Sequence, residues 1–371
     1  MAVPFVDLAA LVRPHREEYL AAFARILDTG GFVGGAAVAD FERAFAAFVG
    51  TDHAVAVRTG TDALVLSLRA LGVGPGDEVI TAANSFFATA EAISLVGATP
   101  VFADVCDDTL LIDPTDVVRR ITSRTRCVIP VHMFGQVADM SKILRIAGEH
   151  RLFVLEDSAQ AHGASRDGVG NAGAIGHIAA FSFYPTKNLG ALGEGGAVTT
   201  NDPSLATRIE QLRDHGQTER HNHAFIGYNA RLDALQCACL SVSLRSLRAN
   251  NEKRRAIAAY YRQGLANLPG VRLVAETPDS HPVYHLFVAR VTEPFRDAVR
   301  ERLSASGIAT AIHYPTPIHL QPAYAASAGG PGTRAVAERA AREMISLPMF
   351  PTMTTEIADI VVAAVRSAVG G

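Results

Sequence analysis

The sequence contains little cysteine, and none of it stands in a metal-binding or redox pattern. The four cysteines among its 371 residues, Cys106, Cys127, Cys237 and Cys239, form no CxxC pair. This spacing favours reduced thiols over a disulfide framework or a zinc site. The segment HNH at 221–223 has no thiol or carboxylate at ligand spacing, and no HExxH motif exists, so we expect no metal site.

An excess of positive charge and long apolar runs are also missing. The formal net charge is -3 and the isoelectric point is about 6.5, which argues against a nucleic-acid partner because such binding needs a basic face. No apolar run is long enough to span a bilayer, and the opening MAVPFVDLAALVRPHREE differs from a signal peptide. We therefore expect a cytoplasmic protein without a membrane partner.

The usual nucleotide-binding signatures are absent or misplaced. There is no P-loop, and the one match to GxGxxG is GVGNAG at 168–173. In a dinucleotide site this motif follows a strand directly and opens a helix. Here it follows the polar loop HGASRD and leads into a segment that is typical of a strand. The context argues against a nicotinamide-dependent dehydrogenase, which we keep as an alternative.

What the sequence does contain is a regular alternation of strands and helices from about residue 53. Strand-like runs include HAVAV, EVIT, TPVFADV, RLFVLED and HIAAFSF, and helical segments such as TDALVLSLRAL and MSKILRIAGEH lie between them. This order predicts the α/β class, with a mostly parallel central sheet covered by helices. The rhythm changes near residue 231, so we predict a large domain over 1–245, including an N-terminal arm, and a smaller C-terminal α+β domain over 246–371.

Three segments carry groups that could act together. RLFVLED ends a strand on Asp157, at the edge where open α/β sheets bind ligands. RTGTDAL at 58–64 opens a helix whose first amides suit an anion. FSFYPTKNLGALGEGG places Lys187 between aromatic residues and glycines, where burial would favour a nucleophilic amine. Alone, each has an ordinary explanation: a helix cap, an N-cap threonine or a surface lysine. Together they match the needs of pyridoxal phosphate (PLP).

The sequence resembles the DegT-type (DegT/DnrJ/StrS) sugar aminotransferases, which are fold-type I PLP-dependent enzymes, over nearly its whole length. The resemblance rests on the ordered motifs FERAFAAFVG, GTDAL, GVGPGDEVI, NSFFATAEAI, PVHMFGQ, LEDSAQAHG, FSFYPTKNLGALGEGGAVTTND, GYNARLDALQ and HYPTPIHLQPAY. It departs from the common pattern at Arg58-Thr59, where Asn-Ser or Ser-Asn is usual, and at Ser85, where threonine is common.

The resemblance implies a role for each matching residue. Lys187 would form the Schiff base with PLP, and Asp157 would pair with the pyridinium nitrogen. The other implied cofactor contacts are Gln160 at the ring hydroxyl, Phe86 stacked on the ring, and Thr61, Asp62 and Ser182 at the phosphate. Asn229 would reach the phosphate from a partner subunit, which implies a homodimer with active sites at the interface. The implied sugar contacts are Tyr184, His313 and Tyr314, with His319 and Gln321 nearby. His132 is either close to the site or simply buried and hydrogen-bonded.

The same resemblance implies the reaction. Family members that are dehydratases carry histidine where this chain has Lys187, so transamination is expected. The expected substrates are glutamate as donor and a nucleotide-linked, dTDP-type 3-keto-6-deoxyhexose, in amino-sugar or antibiotic biosynthesis. The alternatives that stay open are a 4-keto-sugar or cyclitol aminotransferase and a non-catalytic PLP-binding regulator.

Overall fold

The computed structural model describes residues 2–326 and 328–370 and is built around a seven-stranded sheet. Its strands are β1 (His53–Val57), β2 (Glu78–Ala82), β3 (Thr99–Ala103), β4 (Thr125–Ile129), β5 (Phe153–Asp157), β6 (Ile178–Ser182) and β7 (Gly196–Thr200). They lie in the order β1-β7-β6-β5-β4-β2-β3. Strand β7 runs antiparallel to both neighbours, and the other pairs are parallel. The predicted mostly parallel sheet is confirmed.

Helices cover both faces of this sheet, which explains why most residues of its strands are buried and many are apolar. They are α1 (Leu8–Val12), α2 (Arg16–Thr29), α3 (Ala36–Val49), α4 (Gly60–Ala70), α5 (Phe87–Leu95), α6 (Pro114–Arg120), α7 (Met140–His150) and α8 (Pro203–Arg213). Helices α4, α5 and α8 pack on one face through Leu64, Ile93 and Ile209. Helix α7 packs on the opposite face through Ile143 and Ile146.

A long helix leads from the large sheet to a smaller one. Helix α9 (Ala234–Leu265) is capped at its N-terminus by Asp233, whose carboxylate accepts a hydrogen bond from the Gln236 amide. It is followed by the antiparallel strands β8 (Val271–Leu273), β9 (Phe287–Val291) and β10 (Met344–Leu347), and by α10 (Arg296–Ala305), α11 (Ala335–Glu343) and α12 (Thr355–Gly370). The predicted boundary between residues 245 and 246 falls inside α9, and the division into two domains stays a prediction.

Several shorter elements complete the described chain. Single 3-10 turns occur at Arg13–His15, Met133–Gly135 and Ile318–Leu320. Ser165–Arg166 pairs with Gly170–Asn171 and with Ser280–His281, and Gln217–Glu219 pairs with Asn222–His223. Of the helices within the described ranges, none is both long and apolar enough to cross a bilayer. The four cysteines are free thiols.

Candidate active site

The candidate site lies at the edge where the parallel strands end. Asp157 is the last residue of β5 and Ser182 is the last of β6, and Ser182 packs against Gly60 at the start of α4, which follows β1. Lys187 lies in the loop between β6 and β7. That loop folds so tightly that a Cβ atom on Gly190 would lie 2.5 Å from the Pro185 carbonyl oxygen. The glycine therefore lets the lysine loop turn back over the sheet.

Lys187 and Asp157 form the electrostatic centre of this edge. Burial lowers the pKa of Lys187 to about 8, although the negative charge of Asp157 raises it. Burial raises the pKa of Asp157, which is 5% exposed, while the hydrogen bond from Thr89 and the charge of Lys187 oppose that rise. A buried amine with a lowered pKa can act as a nucleophile and as a proton acceptor near neutral pH.

The carboxylate of Asp157 is held by two donors of its own chain. Thr89 Oγ1 donates to Oδ2 at 2.8 Å, and the Ala159 amide donates to Oδ1 at 3.2 Å. Thr89 was not among the residues that the sequence indicated. Its position in α5, four residues after Ser85, becomes meaningful only once α5 is packed beside the end of β5.

The adjacent Glu156 explains the glycine-rich segment that imitates a dinucleotide motif. Its carboxylate accepts hydrogen bonds from the amides of Gly173, Ile175 and Gly176 at 2.7–2.9 Å. His132 Nε2 lies 2.8 Å from the same carboxylate. Within 168–173, the amide of Gly173 is bound to this buried carboxylate, and those of Val169 and Ala172 donate to the carbonyls of Arg166 and Ala164. The segment forms a short strand, Gly170–Asn171, and opens no helix. A nicotinamide site at 168–173 is therefore not supported.

His132 is buried and both of its ring nitrogens are hydrogen-bonded. This agrees with one of the two interpretations that the sequence allowed for it. The Ala138 amide donates to its Nδ1 at 3.1 Å, so Nε2 carries the proton and donates to Glu156. Its own amide donates to the carbonyl oxygen of Asp157 at 3.1 Å. His132 therefore braces the backbone of β5 behind the site.

The start of α4 is packed closely against the end of β6. A Cβ atom on Gly60 would lie 2.6 Å from the Cβ of Ser182, so only glycine allows this approach. Thr59 caps the helix by accepting from the Asp62 amide at 2.9 Å. The amides of the first helical turn, including that of Thr61, find no acceptor inside a helix and suit an anion.

Asp62 is already engaged within the chain. Its carboxylate accepts from Arg58 Nε at 2.9 Å and Nη2 at 3.1 Å, and from Thr59 Oγ1 at 2.9 Å. The unusual Arg58-Thr59 pair therefore braces Asp62 from both sides. This arrangement neutralises a carboxylate at the same helix end where an anion would bind.

Phe86, Tyr314 and Gln160 come together across the opening. The rings of Phe86 and Tyr314 are 5.4 Å apart and tilted by 43°, and Phe86 is 55% exposed. Gln160 Nε2 lies 3.5 Å from the Tyr314 hydroxyl, and its Oε1 accepts from the Phe134 amide at 2.7 Å. These contacts place Tyr314, a predicted sugar contact, beside Phe86 and Gln160, which are predicted cofactor contacts.

The remaining predicted residues lie at different depths. Tyr184 is 48% exposed, and His313 stacks on Phe5 with ring centroids 5.7 Å apart. Asn229 is exposed and lies next to Ala230, whose carbonyl accepts from the Arg58 amide at 2.8 Å. This contact places Asn229 near the start of α4.

His319 and Gln321 are not brought into this cluster. His319 has no exposed surface, and its Nε2 lies 3.1 Å from Glu338, next to the ring of Phe102. Gln321 donates to the Thr316 carbonyl at 3.2 Å. Through these contacts, both residues stabilise the segment that follows Tyr314.

Comparison with known proteins identifies the family. The model of the DegT/DnrJ/EryC1/StrS aminotransferase family matches residues 14–366. The chain belongs to this aminotransferase family. Its similarity to the dTDP-3-amino-3,4,6-trideoxy-alpha-D-glucose transaminase of Streptomyces venezuelae is 47% identity over 98% of the chain and 95% of that protein.

Two solved aminotransferase structures resemble the whole chain. One is S. venezuelae DesV in complex with a ketimine intermediate, with a TM-score of 0.96 and 46% identity, covering 99% of this chain and 98% of that one. The other is NtdA from Bacillus subtilis with bound cofactor PMP, with a TM-score of 0.94 and 31% identity, covering 100% and 86%. The expected fold and aminotransferase class are confirmed.

This aminotransferase also has site residues that the sequence did not indicate. His162, His285 and Arg254 are buried. Burial lowers the pKa of both histidines, and the charge of Lys187 lowers it further. Arg254 lines a cavity of about 420 Å³ together with Lys187 and donates to the carbonyls of Tyr284 and Met349. These residues come from separate segments, so no local pattern could have joined them to Lys187.

Proposed function

We propose that the chain is a PLP-dependent aminotransferase that moves an amino group from glutamate to a nucleotide-linked sugar. The favoured acceptor is a dTDP-type 3-keto-6-deoxyhexose, in the biosynthesis of amino sugars of secondary metabolites. The name of the S. venezuelae relative, a dTDP-3-amino sugar transaminase, supports both the nucleotide and the ring position. We further propose that the reaction takes place in the cytoplasm, which suits the four free thiols.

One observation carries the assignment: an amine with a pKa lowered to about 8 lies near a buried carboxylate at the carboxyl edge of the sheet. The surrounding donors fit PLP. The hydroxyls of Thr61 and Ser182 and the first amides of α4 suit a phosphate, Asp157 suits a pyridinium nitrogen, and Gln160 suits the ring hydroxyl. When bound, PLP supplies an aldehyde that exchanges between amines and a ring that accepts the electrons left by a departing proton.

The residues of the chain would then divide the remaining work. Lys187 would act through its Nζ, first as a base and then as an acid. It would take the proton from the α-carbon of the donor and then give that proton back to complete the exchange of the amino group. Asp157 would keep a positive charge at the ring nitrogen through its own ionised oxygen. Phe86 and Tyr314, with ring centroids 5.4 Å apart, would limit the tilt of the ring and keep water away.

The test of this proposal uses the two half-reactions separately. Glutamate alone should convert the cofactor of the purified holoenzyme from its aldehyde form to its amine form, as read by absorbance. Keto-sugar nucleotides should then restore the aldehyde form, with a dTDP-3-keto-6-deoxyhexose acting faster than 4-keto-sugars or keto-cyclitols. A loaded protein whose spectrum glutamate leaves unchanged would refute the aminotransferase and favour a PLP-binding regulator.

We propose that Asn229 acts in the site of a partner subunit. Two inactive variants test this: Lys187→Ala and Asn229→Ala, unfolded and refolded together in equal amounts. If Asn229 crosses the interface, each mixed dimer contains one native site, and about a quarter of the native activity should return. This follows because half of the dimers are mixed and each has one working site of two.

The matched control mixes Asn229→Ala with the double variant, which cannot form a native site. If Asn229 instead serves its own chain, where it lies near Arg58, the first mixture should be as inactive as this control. The measurement is transaminase activity at limiting PLP, where the lost phosphate contact has its full effect on cofactor binding.

A further inference from the structure

A row of buried hydroxyl groups ends on the carboxylate of Asp157. Ser85 Oγ lies 2.7 Å from Thr89 Oγ1, and Thr89 Oγ1 lies 2.8 Å from Asp157 Oδ2. The three side chains are buried, with exposures of 2%, 1% and 5%. No role in the proposed reaction has yet been given to Ser85 or Thr89.

The chemistry of the acceptor fixes the direction of these hydrogen bonds. An ionised carboxylate has no proton to donate, so Thr89 donates to Asp157. The hydroxyl of Thr89 is then free to accept, and Ser85 donates to it. Both donors therefore point their protons towards the negative charge. If Asp157 were protonated on Oδ2, it could donate to Thr89 and the row would reverse.

The other charged and titratable groups near Asp157 offer its carboxylate few further hydrogen-bond donors. The charge of Lys187 stabilises the carboxylate only while the amine is free and protonated. The ring of His132 is committed elsewhere, because its Nδ1 accepts from the Ala138 amide and its Nε2 faces Glu156. Burial and the charge of Asp157 raise the pKa of Tyr314, so its hydroxyl stays neutral.

When the amine of Lys187 is joined to the cofactor, the free ammonium group that supports Asp157 would no longer be present. Among the described residues, the donors that continue to hold the carboxylate are the Thr89 hydroxyl and the Ala159 amide, one on each oxygen. Hydrogen bonds to a charged group are stronger than those between neutral groups, and buried carboxylates depend on them.

We propose that Thr89, supported by Ser85, is a positioning residue that keeps Asp157 ionised and fixes the orientation of its carboxylate towards the ring nitrogen. The inference rests on the proposed function, because it assigns a ring nitrogen to Asp157. It also connects Asp157 with Phe86, since Ser85 precedes Phe86 and both lie at the start of α5. The same short segment would thus support the carboxylate that faces the ring nitrogen and place the aromatic ring that stacks on the cofactor.

Two substitutions separate this role from packing. Thr89→Val keeps the shape of the side chain and removes the donor, whereas Thr89→Ser keeps the donor and removes a methyl group. The proposal expects the dissociation constant of PLP to rise about tenfold or more in Thr89→Val and to change little in Thr89→Ser. Ser85→Ala should have a smaller effect of a few fold, since Thr89 can still donate. A packing role predicts the reverse order, with Thr89→Ser the more damaged variant.

A second measurement needs neither cofactor nor activity. Infrared difference spectra of the cofactor-free chain, recorded across a pH titration, should show the C=O band of a protonated, buried carboxylic acid. Asp157→Asn identifies the band by removing it. In Thr89→Val the band should appear at higher pH than in the unaltered chain, because the ionised form has lost a donor; in Thr89→Ser it should not move.

Equal PLP affinity and an unmoved infrared band in Thr89→Val would overturn the proposal, as would equal losses in both Thr89 variants. A failure of the proposed function is distinguishable from these outcomes. In that case glutamate would leave the cofactor spectrum unchanged in the unaltered protein, while the infrared titration of Asp157 would still report on Thr89.

Discussion

Replacing Lys187 with alanine is expected to reduce the transamination rate by about 10⁴-fold, because the variant loses both the nucleophile and the group that moves the proton. The effect should appear in kcat under saturating cofactor, since the groups proposed to hold the phosphate and ring remain. Steady-state transaminase assays with saturating PLP measure it. An added small amine should restore part of the activity, because it can carry the same proton.

The sequence offers matched controls for this prediction. It contains three lysines, and the other two, Lys142 and Lys253, are exposed. Alanine at either of these positions should leave the rate unchanged. Borohydride treatment of the holoenzyme, followed by peptide mapping, should place a pyridoxyl group on Lys187 alone. A tag on Lys142 or Lys253, or an active Lys187→Ala variant, would contradict the assignment.

The central sheet could be predicted because each of its strands is a short apolar run. HAVAV at 53–57 is β1 as observed, and RLFVLED contains β5. Burial on both faces removes the alternation of polar and apolar residues, so the runs are recognised by length and by the helices between them. The direction of β7, antiparallel to its neighbours, depends on tertiary packing and has no local signal.

Helix boundaries were less predictable, because competing local contacts decide them. Helix α10 begins at Arg296, directly after a turn in which the Phe295 amide donates to the Thr292 carbonyl. The sequence after residue 231 is compatible with one long helix or with two. It forms the single helix α9, which packs along α2, α3 and α12 and so gains partners over its whole length.

The candidate site also contains some residues that the sequence could predict and others that it could not. Asp157 could be predicted because it ends a strand at the edge where such sheets bind ligands. Lys187 was indicated by its aromatic and glycine-rich surroundings, and Ser182 by the resemblance to the aminotransferase family. The groups that set their electrostatics could not be predicted. Thr89 reaches Asp157 from α5, 68 positions away in the sequence. Hydrogen bonds of this kind depend on how a helix is rotated against the sheet, which no spacing in one segment reveals.

Replacing Asp157 with asparagine is expected to lower the rate of the glutamate half-reaction by about 10²–10⁴-fold. Removing one partner of a buried ion pair costs about 3–5 kcal/mol, which corresponds to a loss of this size. The variant keeps the shape of the side chain but cannot hold a positive charge at the ring nitrogen. Stopped-flow absorbance of the cofactor after mixing with glutamate measures the effect.

The same substitution should change Lys187 in the cofactor-free protein. The charge of Asp157 raises the pKa of Lys187, which burial lowers to about 8, so asparagine should lower that pKa further. The reaction of Lys187 with an amine-specific reagent should then reach its half-maximal rate at a lower pH in Asp157→Asn than in the unaltered chain. Lys253, which is exposed, provides the reference within each sample. An unchanged or higher midpoint would mean that the charge of Asp157 does not raise the pKa of Lys187. That result would contradict the electrostatic pairing of the two residues in the candidate site.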